Sequence, residues 1–233
     1  MQTSKSVSYV LEDPDWMKKV LIGSLITSIP VVEAITDGYQ IQTIKNIQAG
    51  HRYPLPSWDD ATQYFKQGIS LRLAIYAIYI PTFITAVLAI VLTLSALFGW
   101  FMEDRTLSRD LSIARLIGFK LFIPIIDIIV LALVPLVLLV VPAMARRLAD
   151  GESFFALFNP FATLNIILSN FSLYVTSRIV VIIVITLASI ISAVISGVGA
   201  VIAIGPLLGW LVVSASRFWG RLIWAYHLAY MKR

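Results

Sequence analysis

The sequence predicts an all-α integral membrane protein, with four to five transmembrane helices plus interfacial or re-entrant amphipathic helices. Three observations predict it. Hydrophobic residues fill 59% of the 233 positions. Charged residues fill 13%, about half the usual quarter of a soluble domain, and the mean hydropathy is +0.87. The apolar residues also gather in runs close to the roughly 20 residues a helix needs to cross a bilayer. A chain of this size has too little polar surface to cover that much apolar side chain in water. Disorder is excluded as well, because it requires low hydrophobicity and high charge.

The elements follow in chain order as one helical membrane domain over 1–233. Residues 20–36 form a short apolar stretch with Pro30 near its centre and Glu33 towards its end. It either crosses as a fifth span or breaks at Pro30 into a re-entrant pair. Met17-Lys18-Lys19 ahead of it looks like a signal-peptide start, but acidic residues precede it, so the segment is expected to be retained. In 38–48, Ile41, Ile44 and Ile47 fall near helical spacing, and Pro54 and Pro56 stop any further helix. Ser57-Trp58-Asp59-Asp60 has the form of a helix start. Trp58, Ala61, Phe65 and Ile69 then make a narrow apolar stripe, suited to an interfacial helix over 57–69 with Trp58 and Phe65 as anchors.

Spans are predicted at about 73–102, 118–145, 178–197 and 199–218. The last two come from a charge-free run over 179–216, too long for one crossing. A turn at 196–200 divides it, because Gly197 and Gly199 allow conformations other residues avoid. Gly205-Pro206 is the alternative break. Gly205 and Gly209, and likewise Ser192 and Ser196, have the small-xxx-small spacing that permits close helix contact. The aromatic stretch 153–162 reads as a second interfacial element. A weak repeat relates 44–50 to 145–151, each followed by an aromatic interfacial element and a two-span hairpin.

Charge sets the orientation. With five spans, the side holding 37–72, 145–178 and the C-terminus has 11 Lys/Arg against 7 on the other. With a re-entrant first segment the tally is 14 against 4. The positive-inside rule prefers the second arrangement. Both place 37–72 and the C-terminus in the cytoplasm.

Asp13-Pro14-Asp15-Trp16, Lys18-Lys19, Gly38-Tyr39, Gly50, Leu55-Pro56-Ser57-Trp58-Asp59-Asp60, Phe65, Gly68, Tyr79 and Pro81 resemble a family of prokaryotic multi-pass membrane proteins of unknown function. The resemblance is specific over about 8–85 and looser towards the end. It implies a prokaryotic cell (inner) membrane location and one helical domain, and carries no known activity or functional residue.

Glu33 and Asp127 are the two carboxylates within apolar regions. Asp127 is the sharper ion- or proton-site candidate, because a mid-span Asp costs roughly 2.5–3.5 kcal/mol on insertion scales. It is expected to face other spans and to have a polar partner. Inter-helix hydrogen bonding is the plainer reading of both residues. Arg217, Arg221, Trp224 and His227 suggest either an anionic lipid-headgroup site or an aromatic belt with snorkelling arginines.

No catalytic motif is present: no G-x-S-x-G, no H-E-x-x-H and no Walker-type loop. With no Cys and two His, thiolate and histidine-rich metal sites are excluded. No cofactor, metal or enzymatic activity is expected. The net charge of +5 is attributed to basic helix ends rather than to nucleic-acid binding. The expected partners are membrane lipids and other proteins. The expected function is a non-catalytic accessory or scaffold subunit of a membrane complex. The alternative is a small transporter, channel or lipid-handling protein using Asp127.

Overall fold

The computed structural model describes residues 3–101, 140–199 and 205–231, and every regular element among them is helical. In order these are α1 (Thr3–Ser8), a 3-10 turn (Tyr9–Glu12), α2 (Trp16–Thr27), α3 (Ala34–Gln48) and α4 (Ala61–Phe101). Then come α5 (140–149), a 3-10 turn (Phe155–Phe158), α6 (Pro160–Ser169), α7 (Phe171–Gly199) and α8 (Gly205–Ala229). The chain divides into two compact units, Met1–Ala74 with Pro142–Arg233, and Ile75–Val141. The candidate site lies within the first.

The apolar stretch 20–36 is interrupted. α2 ends at Thr27 and α3 starts at Ala34, with Pro30 and the positive-φ residue Val31 between them. Proline offers no N–H and crowds the preceding turn, which disfavours a continuous helix here, and the positive φ of Val31 completes the break. By contrast, the expected separate helix over 57–69 is not seen. Helix α4 begins at Ala61 and runs unbroken to Phe101. No proline lies between Ala61 and Tyr79, so nothing stops the helix at Ile69.

Glycines set the α3–α4 crossing. A Cβ on Gly38 would strike the backbone carbonyl of Tyr64, and one on Gly68 would strike that of Ala34. Helices can approach this closely only where side chains are absent. Around the crossing, Tyr9, Val10, Val20, Tyr39, Leu55, Tyr64, Phe218, Leu222 and Tyr226 form a buried cluster. The Phe218 ring lies against Gly23, in the space a side chain would occupy.

The related stretches 44–50 and 145–151 end their helices in the same way. Gly50 (φ 74°) and Gly151 (φ 85°) are left-handed. His51 N–H bonds Asn46 O at 3.0 Å and Glu152 N–H bonds Arg147 O at 3.1 Å, while Gly50 and Gly151 each donate to the carbonyl three residues back. Both are Schellman caps. Gln48 Nε2 donates across to Asp150 Oδ1 at 3.1 Å.

Helix α7 continues through Gly197 to Gly199, and α8 begins at Gly205, so the expected turn does not begin at Ser196. A glycine permits a break without imposing one, and this one remains in a helix. The two small-residue pairs meet: Ser192 Oγ donates to Gly209 O at 2.7 Å and Ser196 Oγ to Gly205 O at 3.5 Å. Among the described residues one segment, Phe171–Ser196, is long and apolar enough to cross a membrane, with mean hydropathy 2.9. Most of the expected span 118–145, with Asp127, lies outside the described residues.

Candidate functional site

The head of α3 carries Glu33, Thr36 and Asp37 within one helical turn. Carboxylates are favoured at a helix N-terminus by the positive end of its dipole. Arg72 reaches them from α4 and Arg221 from α8. Arg72 donates from Nε to Asp37 Oδ2 at 2.8 Å and from Nη1 to Glu33 Oε2 at 3.1 Å. Its Nη2 stands 2.6 Å from the same Asp37 oxygen. Arg221 Nη2 pairs with Glu33 Oε1, and its Nε lies 3.3 Å from Asp37 Oδ1. Its Nη1 donates to Thr36 Oγ1 at 2.6 Å and to Thr27 Oγ1 at 3.3 Å.

Each guanidinium therefore bridges both carboxylates, and the four charges sum to zero. The fork of an arginine suits this, since its donors match carboxylate oxygens in a plane. The two acids differ in their surroundings. Burial would raise Glu33, but the Arg221 and Arg72 guanidiniums outweigh it and hold the carboxyl below its ordinary value. Asp37 is more deeply buried, and there desolvation outweighs the same two arginines and raises the carboxyl. All four carboxylate oxygens already face guanidinium donors. The arrangement suits joining α3, α4 and α8 better than binding a metal or abstracting a proton.

An aromatic layer adjoins this network. Tyr39 stacks on Trp58 with ring centroids 4.2 Å apart. Trp58 Nε1 donates to Lys19 O at 3.1 Å, and Tyr39 Oη donates to Pro56 O at 2.9 Å. Lys19 Nζ donates in turn to Asp13 Oδ2 at 2.8 Å and to Leu55 O at 2.9 Å. Trp58, expected as a membrane anchor, is thus packed against the buried cluster. Phe65 is half-buried.

A second buried arginine holds the turn after α5. Arg147 is 2% exposed. It pairs with Glu152 at 2.6 Å and donates to Ala156 O at 2.7 Å and Thr163 Oγ1 at 2.9 Å. Its guanidinium satisfies carbonyls that an irregular segment leaves without helix partners.

Of the expected site residues, the structure brings Glu33 and Arg221 together. The others that it describes have different surroundings. Arg217 is exposed, whereas Trp224 and His227 are buried. Trp224 packs on Tyr174, with ring centroids 5.2 Å apart, and lies under the Arg178 guanidinium at 5.0 Å. His227 is 1% exposed, and among the described residues neither ring nitrogen has a hydrogen-bond partner. Burial pushes its imidazole down to about 4, so the ring is neutral at pH 7. Asp127 lies outside the described residues. Sequence reasoning missed Asp37, Arg72 and Arg147. The Glu33–Asp37 spacing of one turn was the available signal, because such residues share a helix face.

With every regular element among its described residues helical, and carrying one apolar helix of membrane-crossing length, the chain is of the all-α class. A family model described as a protein of unknown function (DUF4013) matches residues 21–197, and the chain belongs to that family. The match begins after Asp13-Pro14-Asp15-Trp16. No curated protein and no solved structure matches the chain.

Proposed function

We propose that this protein is a non-catalytic subunit of a larger complex in a prokaryotic cell membrane, acting as an accessory or scaffold component. Spans over about 73–102 and 118–145 and within α7 and α8, with 20–36 re-entrant, would put the 37–72 stretch and the C-terminus in the cytoplasm. The observation that carries the reading is the closed Glu33–Asp37–Arg72–Arg221 network. Its charges are committed to one another and join three helices, which favours a rigid platform over a reacting centre. The apolar face of α7 supports the membrane setting. Ile179, Ile182, Ile183, Leu187 and Ile190 are each more than half exposed, at helical spacing. Such a stripe needs lipid or a partner helix to cover it.

Native pull-down from membranes in mild detergent tests the proposal. A partner protein at fixed stoichiometry is expected, and it should persist through size exclusion. Recovery of the chain alone from intact membranes would reject the subunit reading. Recovery from the soluble fraction would reject the membrane setting.

A further inference from the structure

A cleft of about 280 Å³ opens between α3, α4 and the segment following α5. It sits beside the two Schellman-capped helix ends. Lys45 enters from α3, and Lys66 and Gln67 from α4. Among the described residues neither lysine has an ion-pair partner, and Gln67 Oε1 is buried without a hydrogen-bond donor. Glu152 also lines the cleft, but its carboxylate pairs with Arg147 Nη2 at 2.6 Å. The unneutralised charge facing the cleft is therefore positive. Ile41, Leu148 and Phe154 supply apolar wall.

We propose that this cleft binds the headgroup of an anionic phospholipid bearing free hydroxyls, of the phosphoglycerol type. The two lysines would hold the phosphate, and a rotation of the half-buried Gln67 side chain would turn its orphaned carbonyl to a headgroup hydroxyl. An unpartnered buried acceptor costs free energy that such a donor recovers. A quaternary ammonium headgroup fits worse, because it has no N–H or O–H to donate and meets two lysines of like charge. The volume lies just under the roughly 300–1,000 Å³ of ordinary small-molecule sites, which suits a headgroup with its acyl chains outside. The apolar wall gives those chains an exit that a free phosphate ester would not use. Arg221, the expected headgroup contact, is instead held by Glu33, Asp37 and Thr36. The inference rests on the proposed membrane placement, which sets this face at headgroup depth.

The test is native mass spectrometry of the full chain in mild detergent, with phosphatidylglycerol, phosphatidylcholine and soluble glycerol 1-phosphate as probes. Wild type should retain phosphatidylglycerol over both others. The double variant Lys45→Gln/Lys66→Gln should retain it about tenfold less well, given the attraction each basic residue contributes near an anionic headgroup. Lys45→Arg/Lys66→Arg should restore retention, and all three proteins should melt alike. Equal retention by wild type and the Gln variant overturns the cleft assignment. So does binding of glycerol 1-phosphate without lipid preference. Membrane fractionation of the same cells separates the two layers of the argument. Wild type found outside the membrane fraction overturns the placement and the lipid with it, whereas wild type in the membrane with no lipid preference overturns the cleft alone.

Discussion

Arg221 on α8 is ion-paired with Glu33 at the head of α3, 188 positions earlier in the chain. The pair closes α8 onto the break between α2 and α3, where the backbone makes only isolated turn hydrogen bonds, such as Glu33 N–H to Ile29 O at 2.9 Å. Arg72 completes the closure from α4. Three helices thus meet at one electrostatic junction.

Breaking this junction from one side should destabilise the protein. Arg221→Gln leaves the half-buried Glu33 and the buried Asp37 with one guanidinium. The expected cost is roughly 1–3 kcal/mol, below the 3–5 of a fully buried pair because the side chains keep some access to solvent. Glu33→Gln should cost a similar amount, and the double variant less than the sum. Asp37→Asn should be milder, since desolvation already opposes the charge on Asp37. Thermal melts of the detergent-solubilised protein check all four. Simple additivity of the two Gln variants would show that the residues are uncoupled.

The α3–α4 crossing should reject side chains. Gly38→Ala and Gly68→Ala each put a methyl into a backbone carbonyl of the facing helix. Backbone cannot swing aside as a flexible side chain can. Each change should cost at least the roughly 1–3 kcal/mol of overpacking, read as a lower melting temperature or loss of monodisperse protein. Unchanged melting of Gly38→Ala would contradict the crossing.

Gly151→Ala isolates a different effect. Nothing lies near the position a Cβ would take, so the only cost is the left-handed backbone at φ 85°. That strain is about 1–2 kcal/mol for an L residue. Gly50→Ala at φ 74° should behave the same way. A Gly151→Asn variant should lose less than Gly151→Ala, because Asn visits this region more readily. Equal melting of the Ala and Asn variants would argue against the cap.

His227 should make the fold acid-sensitive. Its imidazole is pushed down to about 4 by burial, against 6.5 ordinarily. Between those values the unfolded chain binds a proton that the folded chain does not, so stability falls as pH drops from 6.5 towards 4. His227→Leu should flatten this slope. It should also raise stability at pH 7 by about 1 kcal/mol, by replacing an unpartnered buried polar group with an apolar one. Melting temperatures across pH 4–8 for both proteins measure the two effects. Identical slopes would show that the imidazole titrates normally.

The sequence by itself determined the local features. The apolar composition, the interruption at Pro30 and the helix over 38–48 followed from residue chemistry acting within a few positions. The related stretches 44–50 and 145–151 carried a shared helix-capping signal, because the Schellman cap needs only a glycine just past the last turn. The Gly205/Gly209 and Ser192/Ser196 spacings likewise indicated a close helix pair. Glu33 stood out as a carboxylate in apolar surroundings. What answers its charge was decided only in three dimensions, since Arg72 and Arg221 lie far along the chain and arrive through helix packing. Tertiary packing also drew Trp58 into a stack with Tyr39 and turned Trp224 and His227 inward. A stripe of aromatic residues has the same spacing whether it faces lipid or a neighbouring helix. The α4 boundary was likewise set by continuity of backbone hydrogen bonds past Ile69, where no residue stood to end them.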